Sequence, residues 1–142
     1  MTKYIYLFAF ISFLFPLNDK KAIESSQYNS TIYRDRWGVP HIYGKTDKDA
    51  AYGLAYAHAE DDFETIQDVL LALRGSLASV KGPKAAPVDY LTKMLNIWKV
   101  VDKKYEHELS TETQELCNGY ADGLNEYVRR HPKKAVKGLF PV

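Results

Sequence analysis

Residues 46–73 read TDKDAAYGLAYAHAEDDFETIQDVLLAL, and the fold turns on this stretch. Thr46 is placed to cap a helix, and Asp47 and Asp49 put negative charge into its first turn, where the helix dipole favours it. The helical pattern runs from about Asp47 to Leu73, with scope to continue through Gly75 to Val80 before Gly82-Pro83 stops it. One stripe at three-and-four spacing carries Ala51, Leu54, Ala55, His58, Asp62, Ile66, Val69, Leu70 and Leu73. A second carries Tyr52, Tyr56, Ala59, Phe63 and Leu70. Apolar groups on both sides predict a helix enclosed by neighbours rather than one lying on a surface.

Upstream, Thr31-Ile32-Tyr33-Arg34 and His41-Ile42-Tyr43 are β-branched and aromatic runs separated by Asp35-Arg36-Trp37-Gly38. Asp first and Gly fourth is the preference of a type I turn, so a hairpin is expected, with Pro40 at a strand end or edge. Residues 22–30 are polar and read as a linker. Downstream, a segment beginning near Pro87 places Leu91, Met94, Leu95, Trp98, Val101 and Tyr105 at helical spacing. Ser110 or Thr111 opens a last long helix, with Gln114 completing a capping box from Thr111. Its apolar face is Cys117, Tyr120, Ala121, Leu124, Tyr127 and Val128, and Pro132 ends it. The expected fold is mainly α with a short N-terminal β-hairpin.

The 142 residues suffice for one modest domain, and 46% hydrophobic content exceeds what a disordered chain carries. Nineteen Lys and Arg against eighteen Asp and Glu leave +1, which argues against a nucleic-acid partner. The single cysteine, Cys117, excludes an intrachain disulfide and any multi-cysteine metal site, and its place on an apolar face reads as a packed thiol. Met1-Thr2-Lys3 followed by the apolar run Tyr4–Phe15 matches a secretory signal and is too short for a stable membrane span. Residues 1–21 are therefore assigned as a signal peptide, which places the rest in a periplasmic or extracellular space. A buried or amphipathic N-terminal segment is the rival reading.

His58, Glu60, Asp61 and Asp62 crowd ionisable groups into the enclosed helix and form a candidate buried polar cluster. His58 and Asp62, four apart, share a face. Three accounts fit: structural pairing of Asp61 or Asp62 with His58, Arg34 or Arg36; a metal site; and a carboxylate–imidazole acid–base pair. Pairing leads, because buried charges are usually paired. His41 reads as a hairpin histidine making one hydrogen bond, and His107 and His131 as groups at polar helix ends.

The string Arg34-Asp35-x-Trp37-Gly38-Val39-Pro40-His41-Ile42-Tyr43-Gly44, the run Asp49 to Phe63, Arg74-Gly75-x-Leu77-Ala78 and Gly119-Tyr120-Ala121-Asp122-Gly123-Leu124-Asn125 together resemble the N-terminal part of the penicillin acylase (penicillin amidase) family. The likeness covers roughly residues 30 to 132, with four motifs in the family's order. The variant Ala57-His58-Ala59-Glu60-Asp61-Asp62-Phe63 is nearer the acyl-homoserine lactone acylase branch than the penicillin G branch. Arg34, Asp35, Trp37, Gly38, Pro40 and His41 form its structural motif.

That resemblance implies an N-terminal nucleophile hydrolase of αββα sandwich architecture, of which residues 31–142 would be a front piece, truncated at the C-terminus, with some apolar faces left uncovered. In the family, a new N-terminal serine of the β chain attacks the amide and its own α-amino group is the base. No serine of this chain fits, since Ser76 follows Gly75 but sits within helical pattern. The catalytic residues, the substrate-binding residues and any calcium site of the complete enzyme are therefore expected outside these residues, with no cofactor or metal held here. The implied partners are the remaining C-terminal part or β chain and a small N-acyl amide substrate. A non-catalytic helical binding module is the alternative.

Overall fold

The computed structural model describes residues 20–24, 27–136 and 139–140. Strands β1 (Lys20–Glu24), β2 (Asn29–Arg34) and β3 (Pro40–Gly44) form an antiparallel sheet in the order β1-β2-β3. Helix α1 (Asp47–Leu73) follows, then the short α2 (Ala78–Lys81), a 3-10 turn at Pro83–Ala85, α3 (Ala86–Leu95), α4 (Ile97–Glu108) and α5 (Thr111–Arg130). The fold is thus mainly α, and the expected hairpin is β2–β3, with Pro40 opening the edge strand.

The sheet has one strand more than the sequence pattern suggested. Residues 22–30, read as a linker, hold most of β1 and the start of β2, and Lys20-Lys21 of the assigned signal peptide also belong to β1. The apolar run Tyr4–Phe15 lies outside the described residues. β1 carries no strand pattern in the sequence because Ile23 is its one large apolar side chain and Lys20, Lys21 and Ala22 precede it. Its register, Ile23 opposite Ser30, is fixed by pairing with β2.

Helix α1 starts on a capping box. The Asp49 amide donates to Thr46 Oγ1, and Asp49 Oδ2 accepts from the Thr46 amide at 3.1 Å. Asp49 Oδ1 also accepts the Asn29 amide at 3.0 Å, which ties the helix start to the sheet. The Asn29 amide and the Thr46 hydroxyl hold this carboxyl below the usual range against the opposing effect of burial. At Asp62 the backbone leaves helical geometry (φ −151°, ψ 67°), and Asp62 Oδ1 caps the restarted helix by accepting the Thr65 amide at 3.2 Å. The helix ends at Leu73, short of Val80, because Gly75 turns the chain at φ +63°.

The core lies between the sheet, α1 and α5, and its largest buried side chains include Tyr52, Tyr56, Tyr127, Ile23 and Ile32. Tyr28 stacks on Tyr52 at 4.6 Å between ring centres, and Tyr127 meets Tyr56 at 5.5 Å and Phe63 at 5.0 Å. Glycines set the α1–α5 distance. A Cβ on Gly119 would stand 2.5 Å from the Lys48 carbonyl oxygen, and one on Gly123 would collide with that of Tyr52. Backbone therefore meets backbone at two points one helical turn apart.

This close approach chooses between the stripes of α1. Tyr52, Tyr56, Ala59 and Phe63 are buried, whereas in the other stripe only Ala51 and Ala55 are buried and Leu54, His58, Asp62, Val69 and Leu73 are exposed. On α5, Leu124 and Tyr127 are buried but Cys117 and Ala121 are exposed, so the thiol is not packed as expected. The helix has turned to bring Gly119 and Gly123 inward. Two boundaries also differ. The third helical segment breaks at Asn96, which adopts a left-handed conformation (φ 52°), giving α3 and α4. Ser110, not Thr111, caps α5, and Gln114 bonds instead to carbonyls of Tyr105, Glu106 and Leu109 at the end of α4.

Candidate functional site

The candidate buried cluster is dispersed by the kink and by the roll of α1. His58, Asp61 and Asp62 are exposed and only Glu60 is half-buried, so the enclosure expected for these four residues is not found. His58 and Asp62 do not pair. His58 Nδ1 lies 3.0 Å from the Tyr120 hydroxyl on α5, with the two rings edge to face. Asp62 is a helix cap, and the Thr65 hydroxyl and amide hold its carboxyl below the usual range.

What the fold does assemble is an ionic junction between sheet and helix. Glu60 Oε1 accepts from Lys21 Nζ at 2.5 Å, and Glu60 Oε2 accepts from Arg34 Nη2 at 3.4 Å. The same Arg34 nitrogen reaches Asp61 Oδ1 at 2.8 Å and the Ala57 carbonyl at 3.4 Å. Partial burial works against the charge on Arg34, but Asp61 and Glu60 outweigh it and raise the guanidinium further. Lys21 follows the same logic, with Glu60 and Tyr56 overcoming desolvation. Lys21 was invisible as a site residue in the sequence, where it closes the apolar N-terminal run. The paired lysines after that run were the only hint.

The hairpin motif is organised by Asp35. Its Oδ1 accepts the amides of Trp37 (2.9 Å) and Val39 (3.0 Å), and its Oδ2 lies 3.3 Å from His41 Nε2. Burial alone would raise this carboxyl, yet those two amides and His41 bring it below the usual range. Arg34 Nη1 closes the turn on the Gly38 carbonyl, and Gly38 sits at φ +83°, which only glycine adopts without strain. Arg36 lies over the Trp37 ring at 3.9 Å rather than pairing with a carboxylate. Pro40 begins β3.

Two grooves flank these elements. One of about 530 Å³ runs beside the α1 break, with Glu60, Asp62, Phe63, Gln67 and Lys134 among its walls. The other, of about 550 Å³, is largely apolar and is lined by Ile42, Leu54, Leu116, Cys117 and Tyr120. Among the described residues no group of three His, Cys, Asp or Glu side chains is placed to hold a metal ion. Among them, too, no helix is long and apolar enough to cross a membrane. Together these residues make ion pairs and caps that lock the hairpin onto the helix.

This arrangement matches a solved enzyme. The thermostable penicillin G acylase of Alcaligenes faecalis, an N-terminal nucleophile hydrolase, superposes with a TM-score of 0.58 at 25% identity, over 86% of this chain and 60% of that one. The fold class is therefore that of the N-terminal nucleophile hydrolases, seen in a helical and sheet portion. The penicillin amidase family model matches residues 29–142, and the chain belongs to that family. Acyl-homoserine lactone acylase QuiP of Pseudomonas aeruginosa is 29% identical over 119 residues, and penicillin acylase 2 proenzyme of a Pseudomonas species (strain SE83) is 28% identical over 113. These alignments take in 84% and 80% of this chain. The chain spans only 14% of the length of either relative.

Proposed function

We propose that this chain is the N-terminal scaffold of an exported acylase that hydrolyses the carbon–nitrogen bond of N-acyl amides, such as acyl-homoserine lactones or penicillins. The observation that carries the reading is the family match over residues 29–142, against relatives of whose length the match takes in only 14%. One of those relatives is named as a proenzyme, which fits a chain destined to work with further polypeptide. In this reading the attacking serine, its α-amino base and the oxyanion donors come from that further polypeptide. Arg34, Asp35, Glu60 and the two helix-packing glycines hold the scaffold on which they rest. The export assignment rests on the apolar run Tyr4–Phe15.

The test is a hydrolysis assay with two samples. Purified 142-residue chain, its mass verified, is incubated with an acyl-homoserine lactone and with penicillin G, and released amine is measured. The same assay is run on the chain co-expressed with the polypeptide encoded directly after codon 142. No release from the first sample and release from the second is the expected result. Turnover by the 142-residue chain alone overturns the assignment of chemistry to another segment, and an inactive co-expressed complex overturns the acylase reading.

A further inference from the structure

We propose that this chain docks on an anionic phospholipid bilayer through two elements acting together: the apolar run Tyr4–Phe15, retained on the chain, and a basic cluster gathered where that run joins the folded body. Retention follows from the strand. Secretory signals are cut after small residues two positions apart. Residues 1–30 hold no such pair, and the first small residue after the run, Ala22, lies inside β1. A cut after Ala22 would remove the Lys21–Glu60 ion pair and the ladder opposite Tyr33, Ile32 and Thr31. It would also make Ile23 the first residue and place a charged α-amino group where the chain is fully buried.

The body meets the run at a positive surface. Lys21 Nζ and Arg130 Cζ stand over the same Tyr56 ring, 4.6 Å and 5.5 Å from its centre. Lys134 donates to the Tyr127 hydroxyl at 3.0 Å and shares a groove with Arg34 and His131. Lys20, Lys21 and Arg34 of the sheet thus lie beside Arg129 and Arg130 at the end of α5 and Lys133 and Lys134 in the 3-10 turn Pro132–Lys134. Their carboxylate partners are Glu60, Asp61 and Glu126 alone. Among the described residues no carboxylate pairs with Lys20, Lys133 or Lys134, and all three are exposed. Lys20 lies opposite Tyr33 and Pro40 opposite Arg34, so the hairpin tip is at this end of the sheet. There Trp37 is 72% exposed, and an indole suits the headgroup level of a membrane.

The occupant follows from the conjunction. The run Tyr4–Phe15 is too short to cross a bilayer, and a short apolar insertion alone gives weak, reversible binding. A polybasic patch is the second signal that makes such binding stable, each cation strengthening it several-fold at an anionic surface. A nucleic acid would engage the cations but has no use for the run. The run and β1 both precede residue 29, where the family match begins, so the inference does not rest on the acylase reading.

Flotation of the full 142-residue chain with vesicles tests it, with phosphatidylcholine alone set against an equal mixture of phosphatidylcholine and phosphatidylglycerol. The chain should bind the mixed vesicles about tenfold more tightly, and added salt should remove the difference. Lys133→Glu with Lys134→Glu should weaken binding to mixed vesicles about tenfold and leave binding to neutral ones unchanged. Lys20→Glu, at an exposed strand end, should act in the same direction. Phe8→Asp with Ile11→Asp should abolish binding to neutral vesicles and leave only weak, salt-sensitive binding to mixed ones. Lys99→Glu with Lys103→Glu on α4 is the matched control and should bind as the parent does. Mass spectrometry of the chain from membranes of the producing cells should find Lys3 to Val142 in one piece. Equal affinity for the two compositions, lysine variants that bind as the parent does, a control as weak as they are, or a chain cut between Phe15 and Ile23 overturns the proposal. So does duplex DNA that displaces the vesicles and is bound equally well by the Phe8 and Ile11 double variant, since the cluster is then a nucleic-acid site. Vesicle binding is read without turnover, so an inactive acylase complex would leave this inference standing.

Discussion

Glu60 carries more of the sheet–helix junction than the two aspartates beside it, because it alone is half-buried and accepts from two cations of the sheet. Glu60→Gln leaves Lys21 and Arg34 short of a counter-charge in a partly desolvated place and should cost about 1–2 kcal/mol. Asp61→Asn removes one half-exposed partner of Arg34 and should cost less than about 0.5 kcal/mol. Urea titration of both variants checks the ranking, and an Asp61→Asn loss as large as that of Glu60→Gln would contradict it. The charges themselves were legible in the sequence, and Arg34 was a named candidate partner for Asp61. Their exposure was not legible, because it depends on which face of α1 the close approach of Gly119 and Gly123 turns inward.

At the scale of elements, the helix ends announced themselves. Thr46, Ser110 and Pro132 mark their boundaries through local hydrogen bonding and ring geometry, which need no distant partner. The packing faces did not. Counting apolar residues placed Cys117 and Ala121 in the core, whereas the contact line on α5 runs through Gly119, Gly123 and Tyr127. A residue without a side chain contributes nothing to an apolar pattern, yet it permits the closest approach of two backbones. Gly123→Ala should therefore destabilise the chain by about 1–3 kcal/mol through collision with the Tyr52 carbonyl. Gly38→Ala, which meets nothing within 4 Å, should cost about 1 kcal/mol from its positive φ alone. Thermal melts of the two variants separate the causes, and a Gly123→Ala protein as stable as the parent would exclude backbone contact at that point.

Across the whole molecule, the chain just before β2 is tied to α5 by Tyr28, whose hydroxyl donates to Asp122 Oδ2 at 2.7 Å across 94 residues of sequence. Burial, then the bond to Asp122, pushes this phenol up to about 12. A group that holds its proton more tightly when folded adds stability that is complete below its unfolded value, about 10. That contribution falls away as the pH rises from about 10 through about 12, when a phenolate would face the Asp122 carboxylate. The stability of the parent should therefore decline more steeply over that interval than that of Tyr28→Phe, as measured by urea midpoints at successive pH values. Parallel curves would show that the bond adds nothing to folding.

From its residue order alone this chain is a mainly helical protein with an N-terminal antiparallel hairpin and four motifs of the penicillin amidase family, because caps, turns and helical period are properties of neighbours in sequence. Only the tertiary structure decided that a third strand joins the sheet, that the aromatic stripe of α1 is the buried one, and that α3 turns its apolar side to the outside. Each of those depends on contacts between residues far apart in the chain: Ile23 with Ser30, Gly123 with Tyr52, Asp89 with the turn before α2. Closing such contacts selects one orientation from several that local pattern permits, and no spacing rule encodes which.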